Sequence, residues 1–149
     1  MKDIPRSALV LGFAGLLPFL WGAVTVLLPD VGMQWMTRLG GRFIGPYIQI
    51  AYGTVILAFM AGVLWGFATR ATGRLAAIGY VLSVLPALWA FFMVGGGAVT
   101  AAVNLATGFA GLLLLDWFFW NAGLAPRWWM ALRLPLTLVV LLCLLPVIL

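Results

Sequence analysis

The sequence predicts an all-α integral membrane protein, with five transmembrane helices in one bundle and the amino terminus in the cytoplasm. Three observations predict it. Of 149 residues, 66% are hydrophobic and 7% are charged, and the mean hydropathy is +1.21, far outside the range of a water-soluble domain. The apolar residues fall into five runs, each near the ~20 residues that cross a ~30 Å hydrocarbon core. The basic residues stand singly or in pairs between those runs and mark topology.

The spans are expected at about 8–28, 43–67, 76–94, 98–120 and 132–149, within one transmembrane domain over 1–149. The first could be mistaken for a secretory signal, but the run from Ala8 to Leu28 is long enough to span. Residues 31–42 mix Met33, Trp35, Met36 and Leu39 with Arg38 and Arg42, which suits a short helix lying in the interface. After the second span, "ATRATGR" is a basic turn. Gly95 to Gly97 allow a tight reversal, which makes the third and fourth helices antiparallel neighbours. In "NAGLAPRWWMALR", residues 121–133, Pro126, Arg127, Trp128 and Trp129 form a headgroup-level anchor. Helices are the only reasonable state, because lipid-exposed backbone must satisfy its own hydrogen bonds and the runs lack strand alternation.

Orientation follows from the basic residues. Lys2, Arg6, Arg70, Arg74, Arg127 and Arg133 share one side, against Arg38 and Arg42 on the other. Six against two places the amino terminus inside, provided that the spans number five. The net charge of +5 is no nucleic-acid footprint, since the positive residues never form a basic face.

One internal similarity is a candidate repeat. Arg6 to Trp21 and Arg74 to Trp89 both run from Arg through Leu-Pro to Leu-Trp at identical spacing, placing Pro18 and Pro86 where either can kink its helix. Two parallel hairpins plus a fifth helix would explain it. Chance or architectural reuse in a Leu- and Trp-rich chain explains it too.

Few residues could carry chemistry. With no His, no Glu and one Cys, neither a His- or Cys-based nucleophilic site nor a catalytic metal site can be assembled from these residue types. No catalytic residue, metal or cofactor is therefore assigned, and the chain is expected not to be an enzyme.

Asp116, inside "LLLLDWFFWNAG", is the one acidic residue within a span. Intramembrane carboxylates mark proton or ion paths by default. Its depth points elsewhere: it lies four residues before Trp120, about 6 Å below the aromatic belt at 1.5 Å per residue. Arg127 and Arg133 stand at that level, so a structural ion pair among Asp116, Arg127 and Arg133 is the leading expectation, with a proton or ion site as the alternative. Thr100, Asn104, Thr107, Gly108 and Gly111 line one face of the fourth helix, and Asp116 is about 120° away from Asn104. A continuous relay along that helix is not expected.

A ligand pocket is the second candidate. Gln49 and Asn104 sit at similar depth, Tyr52 lies near Gln49, and Trp21 and Trp89 are too deep for a simple belt. Together they could line a cavity for a lipid, quinone or pigment. Helix packing, with one amide pair specifying a neighbour, accounts for the same residues.

Four stretches carry a resemblance: "IPRSALVLGFAGLLPF", "YGTVILAFMAGVLWG", "SVLPALWA" and "GFAGLLLLDWFFWNAGLAPRWWMALRLPLT". Together they are similar to an uncharacterised family of bacterial multispanning membrane proteins that includes the mitochondrial transmembrane protein 69. The closing Asp, Gly-Leu-x-Pro, Trp and Leu-Arg pattern is the most specific part. The resemblance implies a compact protein of the bacterial inner membrane and transfers no reaction. The expected role is a small accessory, assembly or packing subunit of a larger membrane complex, its partners the lipid bilayer and other membrane subunits. The alternative is a small transporter or carrier of a lipophilic or small polar ligand.

Overall fold

A computed structural model describes residues 4–149, and every regular element in them is helical. Lys2 and Asp3 lie outside the described residues. Five stretches are long and apolar enough to cross a bilayer: Arg6–Leu27, Tyr47–Ala68, Gly73–Met93, Ala98–Asn121 and Trp129–Ile148.

The first span differs from the single helix expected over 8–28. It comprises α1 (Arg6–Ala14) and α2 (Leu17–Leu27), parted at Gly15 and Leu16. The cause is Pro18, which has no N–H to offer the Ala14 carbonyl and whose ring crowds it. The chain tightens there by one residue, the Leu16 amide donating to the Phe13 carbonyl at 3.0 Å. The interfacial segment expected at 31–42 is a helix, α3 (Pro29–Leu39), followed by a 3₁₀ turn over Gly41–Phe43. Pro29 occupies its first position, where a missing N–H costs nothing. Arg38 lies over the Trp35 ring at 5.5 Å.

The second span, α4 (Tyr47–Ala68), starts later than residue 43 because that residue belongs to the turn and Pro46 precedes the helix. Helix α5 (Gly73–Met93) begins slightly earlier than residue 76, and α6 (Ala98–Asn121) matches its expected start. Between them Gly96 has φ of 79°, a conformation glycine takes without strain. The last helix, α7 (Trp129–Ile148), starts three residues before 132, its first amide held by the Pro126 carbonyl at 3.0 Å.

Helices α4 and α6 form the middle of the bundle. The first touches α2, α5 and α6; the second touches α4, α5 and α7. Helix α2 packs on α4 and α7, while α1 leans on α7. Phe19, Leu57, Leu64, Leu105, Phe109, Leu112 and Phe119 are buried at the shared interfaces. In lipid such contacts stabilise through close packing, because hydrocarbon solvent supplies little hydrophobic drive. Glycines permit several of the close approaches between elements. A Cβ at Gly22 would collide with the Gln49 side chain, and one at Gly108 would lie 2.8 Å from both Leu57 and Trp89.

The two copies of the candidate repeat are used differently. Pro18 divides its helix, whereas Pro86 stays inside an unbroken α5. A two-fold relation between hairpins would pair α6 with the first span as closely as α4 pairs with α5; α6 meets the first span where Phe109 packs edge-on against Phe19 at 5.7 Å, and packs far more extensively on α7.

Candidate functional site

Asp116 is fully buried on α6, five residues before its end. Its Oδ2 accepts from Arg133 Nε at 2.7 Å, and its Oδ1 accepts from Trp129 Nε1 at 2.8 Å. Both donors stand on the first turns of α7, four residues apart and so on one helix face. One carboxylate thus ties two helices with a charge-assisted bond and a neutral one. The third expected member is elsewhere. Arg127 makes no salt bridge among the described residues; its carbonyl accepts from Trp120 Nε1 at 3.1 Å. It precedes α7, in the reversing loop, while Asp116 faces the helix itself. Trp129, expected only as a belt residue, takes the place assigned to Arg127.

The same end of the bundle is braced by Arg70, whose Nη1 donates to the Leu124 carbonyl at 2.9 Å. Sequence spacing gave no sign of this contact across 54 residues.

The residues expected to share one ligand pocket are distributed over three places. Trp21 donates to the Phe43 carbonyl at 2.9 Å and meets Trp35 edge-on at 6.0 Å, which pins the turn before α4. Gln49 is fully buried, and its Nε2 donates to the Phe19 and Cys143 carbonyls at 3.0 and 2.7 Å, joining α2, α4 and α7. Tyr52 packs edge-on against Phe19 at 5.6 Å. Trp89 donates to the Asn104 carbonyl at 2.7 Å, and Asn104 Nδ2 donates to the Met93 carbonyl at 2.8 Å, capping the end of α5. The expected Gln49–Asn104 amide pair does not form, because each side chain is already engaged by a backbone carbonyl on a different interface. Trp89 lines a recess between α5 and α6, and Trp21 lines neither that recess nor the one between α1 and α4.

Two apolar recesses open on the lipid-facing surface. One, about 490 Å³, lies between α5 and α6 beside Leu85, Trp89 and Gly108. The other, about 450 Å³, lies between α1 and α4 and is floored by α7. Exposed Leu11 and Phe59 stand at its mouth, and Arg133 and Thr137 are among its lining residues. The break at Gly15 and Leu16 contributes to this second cleft. It lets α1 follow α7 closely, with a Cβ at Gly12 only 3.1 Å from Leu136, and the space towards α4 is left unfilled.

Comparison with known proteins matches residues 4–149 to the family described as "Protein of unknown function (DUF3429)". The chain is 32% identical over 143 residues to transmembrane protein 69 of Xenopus tropicalis, covering 93% of this chain and 52% of that protein. To transmembrane protein 69 of Mus musculus it is 31% identical over 143 residues, covering 93% and 54%. It thus spans about half the length of these curated relatives. No solved structure matches the chain. A multi-pass membrane protein with five spanning helices, the chain belongs to the DUF3429 family, among whose relatives are the transmembrane 69 proteins.

Proposed function

We propose that this membrane protein is non-enzymatic and serves as a small accessory or assembly subunit of a larger complex in the bacterial inner membrane, its amino terminus cytoplasmic. The lipid-facing side of α4 carries the reading. Ala58, Gly62 and Gly66 recur every four residues on that exposed face, and a Cβ at either glycine would meet nothing within 4 Å. Such a face admits a foreign helix at close range, since small residues let backbones approach in lipid. The interior supports the same reading. Gln49, Trp89 and Asn104 all donate to backbone carbonyls, and Asp116 is held by α7, so these polar groups brace helices rather than form a file across the bundle.

The experiment is co-purification after mild solubilisation, comparing the native chain with Gly62→Leu/Gly66→Leu. The variant is expected to remain folded and lose its larger partner. A native chain that elutes as a clean monomer from several mild detergents would sink the proposal. The second reading, a carrier of a lipophilic or small polar ligand, draws on the cleft between α1 and α4.

A further inference from the structure

Six hydroxyl side chains in the bundle behave as membrane helices ordinarily dispose of them. Thr25, Thr37, Thr54, Thr69, Ser83 and Thr107 each donate to a carbonyl three or four residues back. Thr137 does not. It is 2% exposed, and its Oγ1 has no hydrogen-bond partner among the described residues.

One turn earlier on the same face of α7, Arg133 is 7% exposed, and its Nη2 is likewise buried without a partner. Its only bond to Asp116 uses Nε. Both residues line the cleft between α1 and α4. Two buried donors, about 6 Å apart along one helix, therefore belong to residues that line a recess opening sideways to lipid. An unmet donor in such a medium costs the full desolvation of the group, so it calls for an acceptor.

The electrostatics narrow the acceptor. Asp116 already balances the Arg133 charge, so an uncharged oxygen completes the site without adding net charge to the hydrocarbon, whereas an anion leaves an unbalanced one. The remaining lining is apolar: Leu11, Leu16, Phe19, Ile56, Met60 and Val63. A volume near 450 Å³ falls in the range of small-molecule sites.

We propose that the cleft between α1, α4 and α7 binds a lipophilic molecule bearing an uncharged carbonyl, which accepts hydrogen bonds from Arg133 Nη2 and Thr137 Oγ1 while its tail lies against α1 and α4. The site does not require that the small-residue face of α4 docks on a partner. A quinone ring and a lipid ester offer the same chemistry, and two probes separate them.

The full chain in detergent is titrated with ubiquinone-2, read by quenching of tryptophan emission, to which Trp128 and Trp129 in the cleft wall contribute. Monoolein is titrated in parallel by native mass spectrometry. Thr137→Val keeps the side-chain shape and removes the hydroxyl; Val63→Phe fills the recess from α4. At least one probe is expected to saturate, to weaken about tenfold in Thr137→Val, and to be lost in Val63→Phe. Saturation by ubiquinone-2 alone identifies a quinone site, and by monoolein alone an ester site. Oleate, carrying a charge, is expected to bind more weakly than monoolein. The proposal is overturned if neither probe saturates, if either variant binds as tightly as the native chain, or if squalene, which has no carbonyl, displaces the bound probe equally well.

Discussion

Arg133 holds Asp116 through Nε alone, at 2.7 Å, and Trp129 supplies the second bond to the same carboxylate. Removing one member of a buried pair strands the other charge, which costs about 3–5 kcal/mol. Asp116→Asn keeps an acceptor and is expected at the lower end of that range; Asp116→Leu is expected at the upper. Arg127→Ala is expected to change stability by less than about 0.5 kcal/mol. Thermal unfolding in detergent measures all three, and equal losses for Arg127→Ala and Asp116→Asn would contradict the assignment.

Gly22 and Gln49 occupy adjoining space that admits no extra methyl group. Gly22→Ala is expected to destabilise by about 1–3 kcal/mol through overpacking. Gln49→Ala also destabilises, but in the double variant the Gly22→Ala penalty should shrink. A double-mutant cycle reads this coupling directly, and additive losses would show that the two helices accommodate the methyl group elsewhere.

Asn104 and Trp89 staple the reversal between α5 and α6. Asn104→Ala frees the Met93 carbonyl at a partly exposed site, so the expected loss is about 0.5–1.5 kcal/mol. Trp89→Phe removes the bond to the Asn104 carbonyl with a comparable effect. Limited proteolysis at residues 94–97 should accelerate in both; unchanged cleavage with unchanged unfolding would discount the staple.

The topology is open to direct labelling. With Cys143, the single cysteine, replaced by Ser, cysteines placed at Arg74 and Gly96 are expected to react with an impermeant maleimide from opposite sides of the membrane. Position 74 should be protected in intact cells and position 96 should not. The reverse pattern would turn the protein over.

Much of this architecture was legible in the chain because the bilayer imposes length and polarity so strictly. Each of the five spans overlaps its expected interval, and the glycine reversal and interfacial helix lie where composition puts them. The ionic contact between α6 and α7 was readable from depth, because Asp116 and Arg133 each fall within two turns of the same bundle end. The participation of Trp129 was not, since an indole beside a headgroup region reads equally well as a belt residue. Nor could Gln49 be resolved. An amide in lipid must find a partner, but whether that is another amide or a bare carbonyl depends on which helices become neighbours. Pro18 and Pro86 share a sequence context and part company for a related reason: local chemistry makes a break available, and packing decides whether it is used.

The separation of Asp116 from Arg133 by 17 residues bears on how the protein enters a membrane. The ribosome delivers the acidic helix first, and its charge alone raises the insertion free energy by about 2.5–3.5 kcal/mol at mid-bilayer, less nearer the interface. Its counter-charge arrives only after the loop at residues 122–128 and the first turn of α7. The favourable unit for partitioning is therefore the finished pair of helices. A nascent chain halted before Arg133 would hold α6 at the protein-conducting channel, awaiting a partner that has yet to be made.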